Sequence, residues 1–278
     1  MNIIRAESLG MCFGVRDAIA LALEEVESRP LTILGDLVHN ATVLATLEAK
    51  GIAIAREPAQ VRTPTMMVTA HGISQRKLGQ IRALGLEVVE ATCPLVHVAH
   101  KAVAALVRDG YHPVIIGQRH HVEVRGMTED LTDFDVVLNE ADIAALADHP
   151  RIGIAAQTTQ PTGRVQHLVA LIRRQFPQSE IRFIDTVCKP TKQRQAAAIE
   201  LAGRCDVVIV IGGASSNNTR ELVETCRRHC SQVHHVETEL DLRREWFAAA
   251  GTVGITAGTS TPDTVIDRIE QRMRELAG

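Results

Sequence analysis

The sequence is poor in aromatic residues and in lysine, and it has no long apolar run; each shortage excludes a class of protein. Its 278 residues include five Phe, one Trp and one Tyr, too few for the stacking surfaces that bind single-stranded nucleic acids. The formal net charge is −3, and only five of the thirty basic residues are Lys, so we expect no broad basic surface for a polyanion. No apolar stretch approaches the roughly 18 residues of a membrane span.

The N-terminal residues lack the layout of a secretory signal, a charged region followed by an apolar one. We therefore expect a cytoplasmic protein. Six Cys without an export signal argue against a disulfide framework and favour metal or redox chemistry. With 45% hydrophobic and 23% charged residues, the chain has the material for a packed core.

Short apolar runs alternate with amphipathic stretches, which predicts an α/β protein with small, mostly parallel sheets. Helices are predicted where apolar residues recur at helical spacing, at residues 15–26, 95–106 and 196–202. The predicted strands are the apolar runs at residues 33–34, 66–68, 114–116, 152–154, 207–211 and 253–255.

Three of the cysteines recur at a nearly regular interval. Cys12, Cys93 and Cys188 each come just before a predicted helix, and they are separated by 81 and 95 residues. The other three cysteines, Cys205, Cys226 and Cys230, have no counterparts in the first two thirds of the chain. A period of this kind predicts three copies of one structural unit. We place the three domains at residues 13–93, 94–187 and 188–278 plus 1–12.

Two polar loops accompany each of these three cysteines. The first follows the cysteine by 27 to 30 residues and the second by 59, 65 and 72 residues. Because ligands collect at the carboxyl ends of parallel strands, we expect these loops to line one cavity around a pseudo-threefold axis. The loop residues of interest are His39, His71, His121, Glu123, Thr158, Thr159, Ser216, Asn218 and Ser260.

Three thiolates can hold an iron–sulfur cluster or a soft metal. A [4Fe–4S] cluster with three Cys ligands keeps one iron open to a substrate. The alternative is three buried structural cysteines, which are common. Cys226 and Cys230 are four residues apart and could bind zinc, but no second pair completes such a site, so we expect structural roles for them.

The polar loops combine neutral and cationic donors, which suits a small anion such as a diphosphate. The alternative is that each side chain merely caps a loop. Glu123 is the only carboxylate in these loops, and burial would raise its pKa and make it a proton source. Thr158 or Thr159 could relay that proton. The alternative for Glu123 is a salt bridge to Arg125.

Ordered motifs along the whole chain resemble those of the 4-hydroxy-3-methylbut-2-enyl diphosphate reductase family. The motifs are MCFGV at 11–15, VHN at 38–40, AHG at 70–72, ATCPLV at 91–96, HVEV at 121–124, QTT at 157–159, the segment around Cys188 at 185–195, and TAGTSTPD at 256–263. The sequence departs from the usual family pattern at Val122, Arg125, Lys189 and Asn217, which leaves open an altered substrate range or electron donor.

The resemblance implies a trefoil of three α/β domains around a central [4Fe–4S] cluster with an open fourth iron, held by Cys12, Cys93 and Cys188. It implies that Glu123 supplies the proton. It also implies a substrate site lined by His39, His71, His121, Thr158, Ser216, Asn217, Asn218 and Ser260.

The reaction implied by the resemblance removes the allylic hydroxyl of the diphosphate with two electrons and protons. It yields isopentenyl and dimethylallyl diphosphates in the last step of the methylerythritol phosphate pathway, with ferredoxin or flavodoxin as electron donor. Two other classes stay open: a hydro-lyase that uses the same open iron, and a non-catalytic iron–sulfur or zinc protein that senses redox state.

Overall fold

The computed structural model describes residues 1–277, and their side chains as far as residue 276. Within this part of the chain the strands form three four-stranded sheets in which every pair is parallel. The predicted α/β class with small parallel sheets is therefore confirmed. The strands are β1 (Asn2–Arg5), β2 (Leu31–Leu34), β3 (Ala53–Ala55), β4 (Thr65–Val68), β5 (Glu87–Glu90), β6 (His112–Ile116), β7 (Asp135–Val137), β8 (Arg151–Ala156), β9 (Glu180–Phe183), β10 (Val207–Ile211), β11 (Val233–Val236) and β12 (Thr252–Ala257).

Helices connect the strands, as parallel pairing requires. Those predicted near residues 15–26, 95–106 and 196–202 are present as α1, α4 and α8. The helices are α1 (Phe13–Ser28), α2 (Ala41–Ala49), α3 (Gln75–Ala83), α4 (Pro94–Arg108), α5 (Val122–Thr128), α6 (Glu140–Ala144), α7 (Thr162–Gln175), α8 (Lys189–Ala202), α9 (Asn217–Arg227) and α10 (Asp263–Ala277).

The three sheets repeat one strand order. They run β3-β2-β4-β5, β7-β6-β8-β9 and β11-β10-β12-β1. In each sheet the two inner strands are the two that the apolar runs predicted, namely β2 and β4, β6 and β8, and β10 and β12. Inner strands such as β4 and β10 are buried at every residue, whereas the edge strand β9 exposes alternate residues and the edge strand β5 exposes its first and last residues.

The described chain divides into two compact units. The first unit contains Met1–Arg16, His39–Ala45 and the chain from Lys189 onward, and it holds the sheet β11-β10-β12-β1. The second unit contains Asp17–Val38 and Thr46–Cys188, and it holds the other two sheets. The three-domain boundaries given above stay a prediction.

Helices cover both faces of the sheet in the first unit. Successive β10 residues point to opposite faces, so Ile209 packs with Ile269 of α10 while Val210 packs with Leu201 of α8 and Leu222 of α9. Each of these buried aliphatic side chains contributes about 1.5–3 kcal/mol to the free energy of unfolding. This two-sided core explains why the inner strands are continuous apolar runs.

The sequence has no apolar stretch long enough for a membrane span. Within residues 1–277, no helix combines the length and the apolarity that crossing a bilayer would require.

Candidate functional site

The three repeated cysteines occupy equivalent backbone positions. Each is the residue before a helix: α1, α4 or α8. The amide of Cys12 donates to the carbonyl oxygen of Thr259 at 3.1 Å, that of Cys93 to Ala70 at 3.1 Å, and that of Cys188 to Thr158 at 3.0 Å. In every case the acceptor is the second residue after an inner strand ends: β12, β4 or β8. One local geometry thus ties each cysteine to the second polar loop of another repeat: Cys12 to the loop that follows Cys188, Cys93 to the loop that follows Cys12, and Cys188 to the loop that follows Cys93.

The same three cysteines have the chemistry that a thiolate-bound cluster needs. All three thiols are of intermediate exposure, and the positive end of a helix dipole favours an anionic ligand. They therefore fit as iron–sulfur ligands, a role that stays a prediction.

The other three cysteines differ. Cys226 and Cys230 are buried in an apolar cluster that Cys205 contacts. Burial raises the pKa of the Cys205 thiol to about 11 and that of Cys226 to about 12. The Cys230 thiol points at backbone carbonyls, including that of Asp206 at 3.5 Å. The raised pKa values favour neutral thiols at Cys205 and Cys226, as expected for cysteines with structural roles.

In the first unit, three polar loops meet. The Ser260 hydroxyl donates to the carbonyl oxygen of His39 at 3.2 Å. A Cβ atom at Gly213 would lie only 2.7 Å from the same oxygen, so only glycine permits this approach of two backbones. The loops that begin at His39, Gly213 and Gly258 are therefore neighbours.

Asn218 presents a hydrogen-bond donor that no described residue uses. The side chain is 2% exposed, and its Oδ1 accepts from the amide of Thr259 at 2.9 Å. This contact fixes the orientation of the side chain. Its Nδ2 is buried and has no hydrogen-bond partner among the described residues. A buried amide group left in this state is costly unless a ligand supplies an acceptor.

Ser216 caps α9, because its Oγ accepts from the amide of Thr219 at 3.3 Å. The capping role considered for the loop side chains is therefore real for Ser216. The cap uses only a lone pair, so the O–H stays able to donate. Asn217 and Asn218 form the first residues of the same helix, where backbone amides favour an anion.

In the second unit, His71 and His121 lie side by side. Their ring centroids are 5.6 Å apart in an edge-to-face arrangement. His121 also caps α5, since its Nδ1 accepts from the amide of Glu123 at 3.1 Å. An imidazole whose Nδ1 is an acceptor carries its proton on Nε2 when neutral. His121 is therefore an Nε2–H donor as well as a cap.

Glu123 is the buried acid of this unit. Its side chain is 1% exposed. The backbone amide of Thr158 donates to Oε1 at 2.6 Å, and the Thr158 hydroxyl lies 3.0 Å from Oε2. Burial raises the pKa of Glu123 to about 7, although the two hydrogen bonds from Thr158 act to lower it. A carboxyl group with this pKa is about half protonated at neutral pH and can donate a proton.

Arg125 does not form the salt bridge considered for Glu123. It pairs with Glu129 one helical turn further on, at 2.7 Å. The Thr159 hydroxyl accepts from the side chain of Gln157 at 3.2 Å, and a relay through Thr159 stays a prediction. The threonine whose hydroxyl bonds to Glu123 is Thr158.

The raised pKa predicts a pH-dependent stability that Glu123→Gln should remove. Between the unfolded pKa of 4.5 and the folded value of about 7, the native protein keeps a proton that the unfolded chain has released. The free energy of unfolding therefore falls as pH rises, by about 3 kcal/mol in all. Urea unfolding at pH 5 and pH 8 should show this loss in the wild type and a smaller one in the variant.

The amide of Gln reproduces the protonated acid, because it can donate to the Thr158 hydroxyl and accept from the Thr158 amide. We therefore expect the variant to match the wild type at pH 5 and to exceed its stability at pH 8. Identical pH dependence in the two proteins would show that Glu123 is ionised in the native state, contrary to the prediction.

Arg194 is a residue near Cys12 that the sequence reasoning missed. It is 5% exposed, lies on α8, and donates from Nε to the carbonyl oxygen of Gly10 at 3.0 Å. It thus holds the backbone two residues before Cys12. Only its surroundings reveal this role, since an arginine in a polar stretch is normally solvated.

Comparison with known proteins gives one family throughout. The family model described as LytB protein matches residues 3–274. A 4-hydroxy-3-methylbut-2-enyl diphosphate reductase from Geobacter metallireducens is 37% identical over 99% of this chain and 98% of its own length. The reductase of the same name from Aquifex aeolicus is 36% identical over 99% and 97%.

Solved structures of reductases also match this chain. A structure of (E)-4-hydroxy-3-methyl-but-2-enyl diphosphate reductase, described as the terminal enzyme of the non-mevalonate pathway, is 36% identical with a TM-score of 0.71, and covers 99% of this chain and 100% of that one. A structure of the E-1-hydroxy-2-methyl-but-2-enyl-4-diphosphate reductase from Plasmodium falciparum is 26% identical with a TM-score of 0.91, and covers 97% of this chain and 87% of that one.

Proposed function

The chain belongs to the LytB protein family, and from this membership we propose that it is an oxidoreductase that reduces 4-hydroxy-3-methylbut-2-enyl diphosphate. The proposed reaction replaces the allylic hydroxyl by hydrogen with two electrons and protons, and yields isopentenyl and dimethylallyl diphosphates. The observation that carries the proposal is the buried Glu123, with a pKa of about 7 and two hydrogen bonds from Thr158. It is a proton donor of the kind that this reaction requires.

We propose Cys12, Cys93 and Cys188 as the ligands of a [4Fe–4S] cluster. Their support is the shared position before a helix, the shared hydrogen bond to a second polar loop, and their half-buried thiols. When bound, the cluster supplies electrons and an open iron that can act as a Lewis acid.

The diphosphate is the part of the substrate that the polar loops are suited to bind. Its oxygens need several donors, and neutral side chains can provide them together with the backbone amides at the start of α9. Asn218 supports this assignment most directly, because its buried Nδ2 lacks an acceptor among the described residues. The proposed binding residues are His39, His71, His121, Thr158, Ser216, Asn217, Asn218 and Ser260.

Glu123 and Thr158 have the proposed catalytic roles. Glu123 holds the proton in its neutral form at or below pH 7. The Thr158 hydroxyl, 3.0 Å away, can pass it toward the substrate because a hydroxyl both accepts and donates. The burial of Glu123 excludes water from the acid, so the proton is kept for the reaction.

Asn218→Asp should weaken substrate binding. The aspartate keeps the acceptor for the Thr259 amide, but it replaces the donor Nδ2 by a charged oxygen that repels a diphosphate. We expect KM for the diphosphate to rise by about 10- to 100-fold, as for the loss of a hydrogen bond to a charged group. Steady-state kinetics with a chemical electron donor would measure the change.

Asn139→Asp is the matched control. Asn139 caps α6 with the same side-chain acceptor geometry, at 3.1 Å from the amide of Asp142, and it is exposed. Its replacement should leave KM unchanged. Equal KM values for Asn218→Asp and the wild type would remove Asn218 from the proposed binding site.

The proposed activity is tested by anaerobic turnover of the hydroxylated diphosphate with reduced viologen. Electron-dependent formation of both product diphosphates is the expected result. Conversion that needs no electrons would favour the hydro-lyase instead. Protein that contains zinc without sulfide would contradict both enzyme functions and favour a sensor.

The electron donor and the location of the protein stay predictions. Ferredoxin or flavodoxin is the predicted donor, and the cytoplasm is the predicted compartment. A reductase of a small phosphorylated substrate is consistent with both.

A further inference from the structure

A cluster of possible metal ligands lies in the second unit, apart from the side chains described above. His112, Asp135 and His149 bring one ligand atom each to within 4.8 Å of the others. His112 and Asp135 begin β6 and β7, and His149 lies two residues before β8. The cluster therefore lies at the amino ends of these strands. His121, Glu123 and Thr158 follow the carboxyl ends of β6 and β8, at the opposite edge of the same sheet.

The side chain of His112 lies between two carboxylates, an arrangement that favours a bound cation. Its side chain is 7% exposed, its Nε2 lies 2.9 Å from Oδ2 of Asp135, and its Nδ1 lies 3.4 Å from Oδ2 of Asp133. A neutral imidazole has a single N–H, so it can donate to only one of the two carboxylates. The other nitrogen then points its lone pair at an anionic oxygen. A metal ion bound to that nitrogen and to the carboxylate removes this repulsion.

His149 offers one more nitrogen ligand to a metal. Its ring stacks on that of His112, with centroids 3.7 Å apart and planes 3° from parallel. Because an imidazole nitrogen binds a metal in the plane of its ring, one of the two stacked rings has to turn before both can bind one ion. His112 precedes Pro113 and His149 precedes Pro150. A residue before proline is restricted to extended backbone, so the backbone at both histidines is constrained, while the ring of His149, which lies in a loop, can turn toward an ion.

We propose that His112, Asp135 and His149 bind one Zn²⁺ ion. Two imidazoles and a carboxylate are a usual zinc donor set, while Mg²⁺ and Ca²⁺ prefer oxygen ligands alone. Asp133 lies on the remaining nitrogen of His112 and has the position of the outer carboxylate that orients a zinc-bound histidine. The ion would join β6, β7 and the loop before β8.

The test is a Zn²⁺ titration of tag-free, cluster-loaded protein by anaerobic calorimetry. The cluster occupies the repeated cysteines, so added zinc reports on other ligands. We expect one saturable site in the wild type, and a dissociation constant that rises at least about tenfold in His149→Ala and in Asp135→Asn. Co²⁺ as a second probe should give a spectrum without thiolate-to-metal charge transfer.

His167→Ala is the matched control, because His167 is also paired with a carboxylate, Glu140 at 2.9 Å, but has no second histidine. It should bind Zn²⁺ as the wild type does. His149 lies in a loop outside the helices and strands, so its variant is expected to fold, and an unchanged melting temperature without zinc verifies this. Zn²⁺ should raise that temperature in the wild type and His167→Ala only. Absence of a saturable site, or unchanged affinity in His149→Ala, would overturn the proposal.

Discussion

Cys93→Ala is expected to yield a folded protein without an iron–sulfur cluster and without reductase activity. Cys93 is half-buried at the start of α4, and two cysteines alone cannot hold the proposed cluster. The same result is expected for Cys12→Ala and Cys188→Ala, because the three cysteines have one local geometry. Iron and acid-labile sulfide analysis of anaerobically purified protein measures the loss.

Cys205→Ala is the control for these variants. Its thiol contacts an apolar cluster, and burial raises its pKa to about 11, so it is a poor iron ligand. It should keep the iron, sulfide and activity of the wild type. Circular dichroism of all four variants distinguishes loss of the cluster from loss of the fold. A full complement of iron and sulfide in any of Cys12→Ala, Cys93→Ala and Cys188→Ala would remove that cysteine from the ligand set.

Glu123→Gln should lower the turnover number by roughly 10²- to 10⁴-fold, the usual contribution of a general acid. The amide keeps both contacts with Thr158 but cannot release a proton. KM should change little, because Glu123 is assigned to proton delivery and not to the diphosphate. Anaerobic kinetics and cluster absorption, measured on the same samples, show whether the cluster is intact while turnover is lost.

The pH profile gives an independent readout of the same role. With a pKa of about 7, the wild-type acid is protonated below pH 7 and ionised above it, so turnover should decline as pH rises past 7. This limb should be absent from the residual activity of Glu123→Gln. Glu140→Gln, at an exposed carboxylate, should keep both the rate and the profile of the wild type. Near-normal turnover in Glu123→Gln would exclude it as the proton donor.

The inner strands of the sheets could be read from the chain because local composition carries the information. β10 is the unbroken apolar run Val207–Ile211, and it is buried at every residue. The edge strands β5 and β9 have no such pattern, because they carry charged residues such as Glu87 and Glu180. Their place depends on pairing with β4 and β8, which is a tertiary interaction.

The sequence alone determined the repeat: three cysteines that each precede a helix, and polar loops that follow the apolar strands. Spacing along the chain is sufficient for this, since each copy is built from local contacts. Only the tertiary structure decided what surrounds each side chain. It buried Glu123 against Thr158 and so raised the pKa of the acid. It also brought His112, Asp135 and His149 together from three separate segments. Burial and proximity arise from contacts between distant parts of the chain, which no local pattern of residues records.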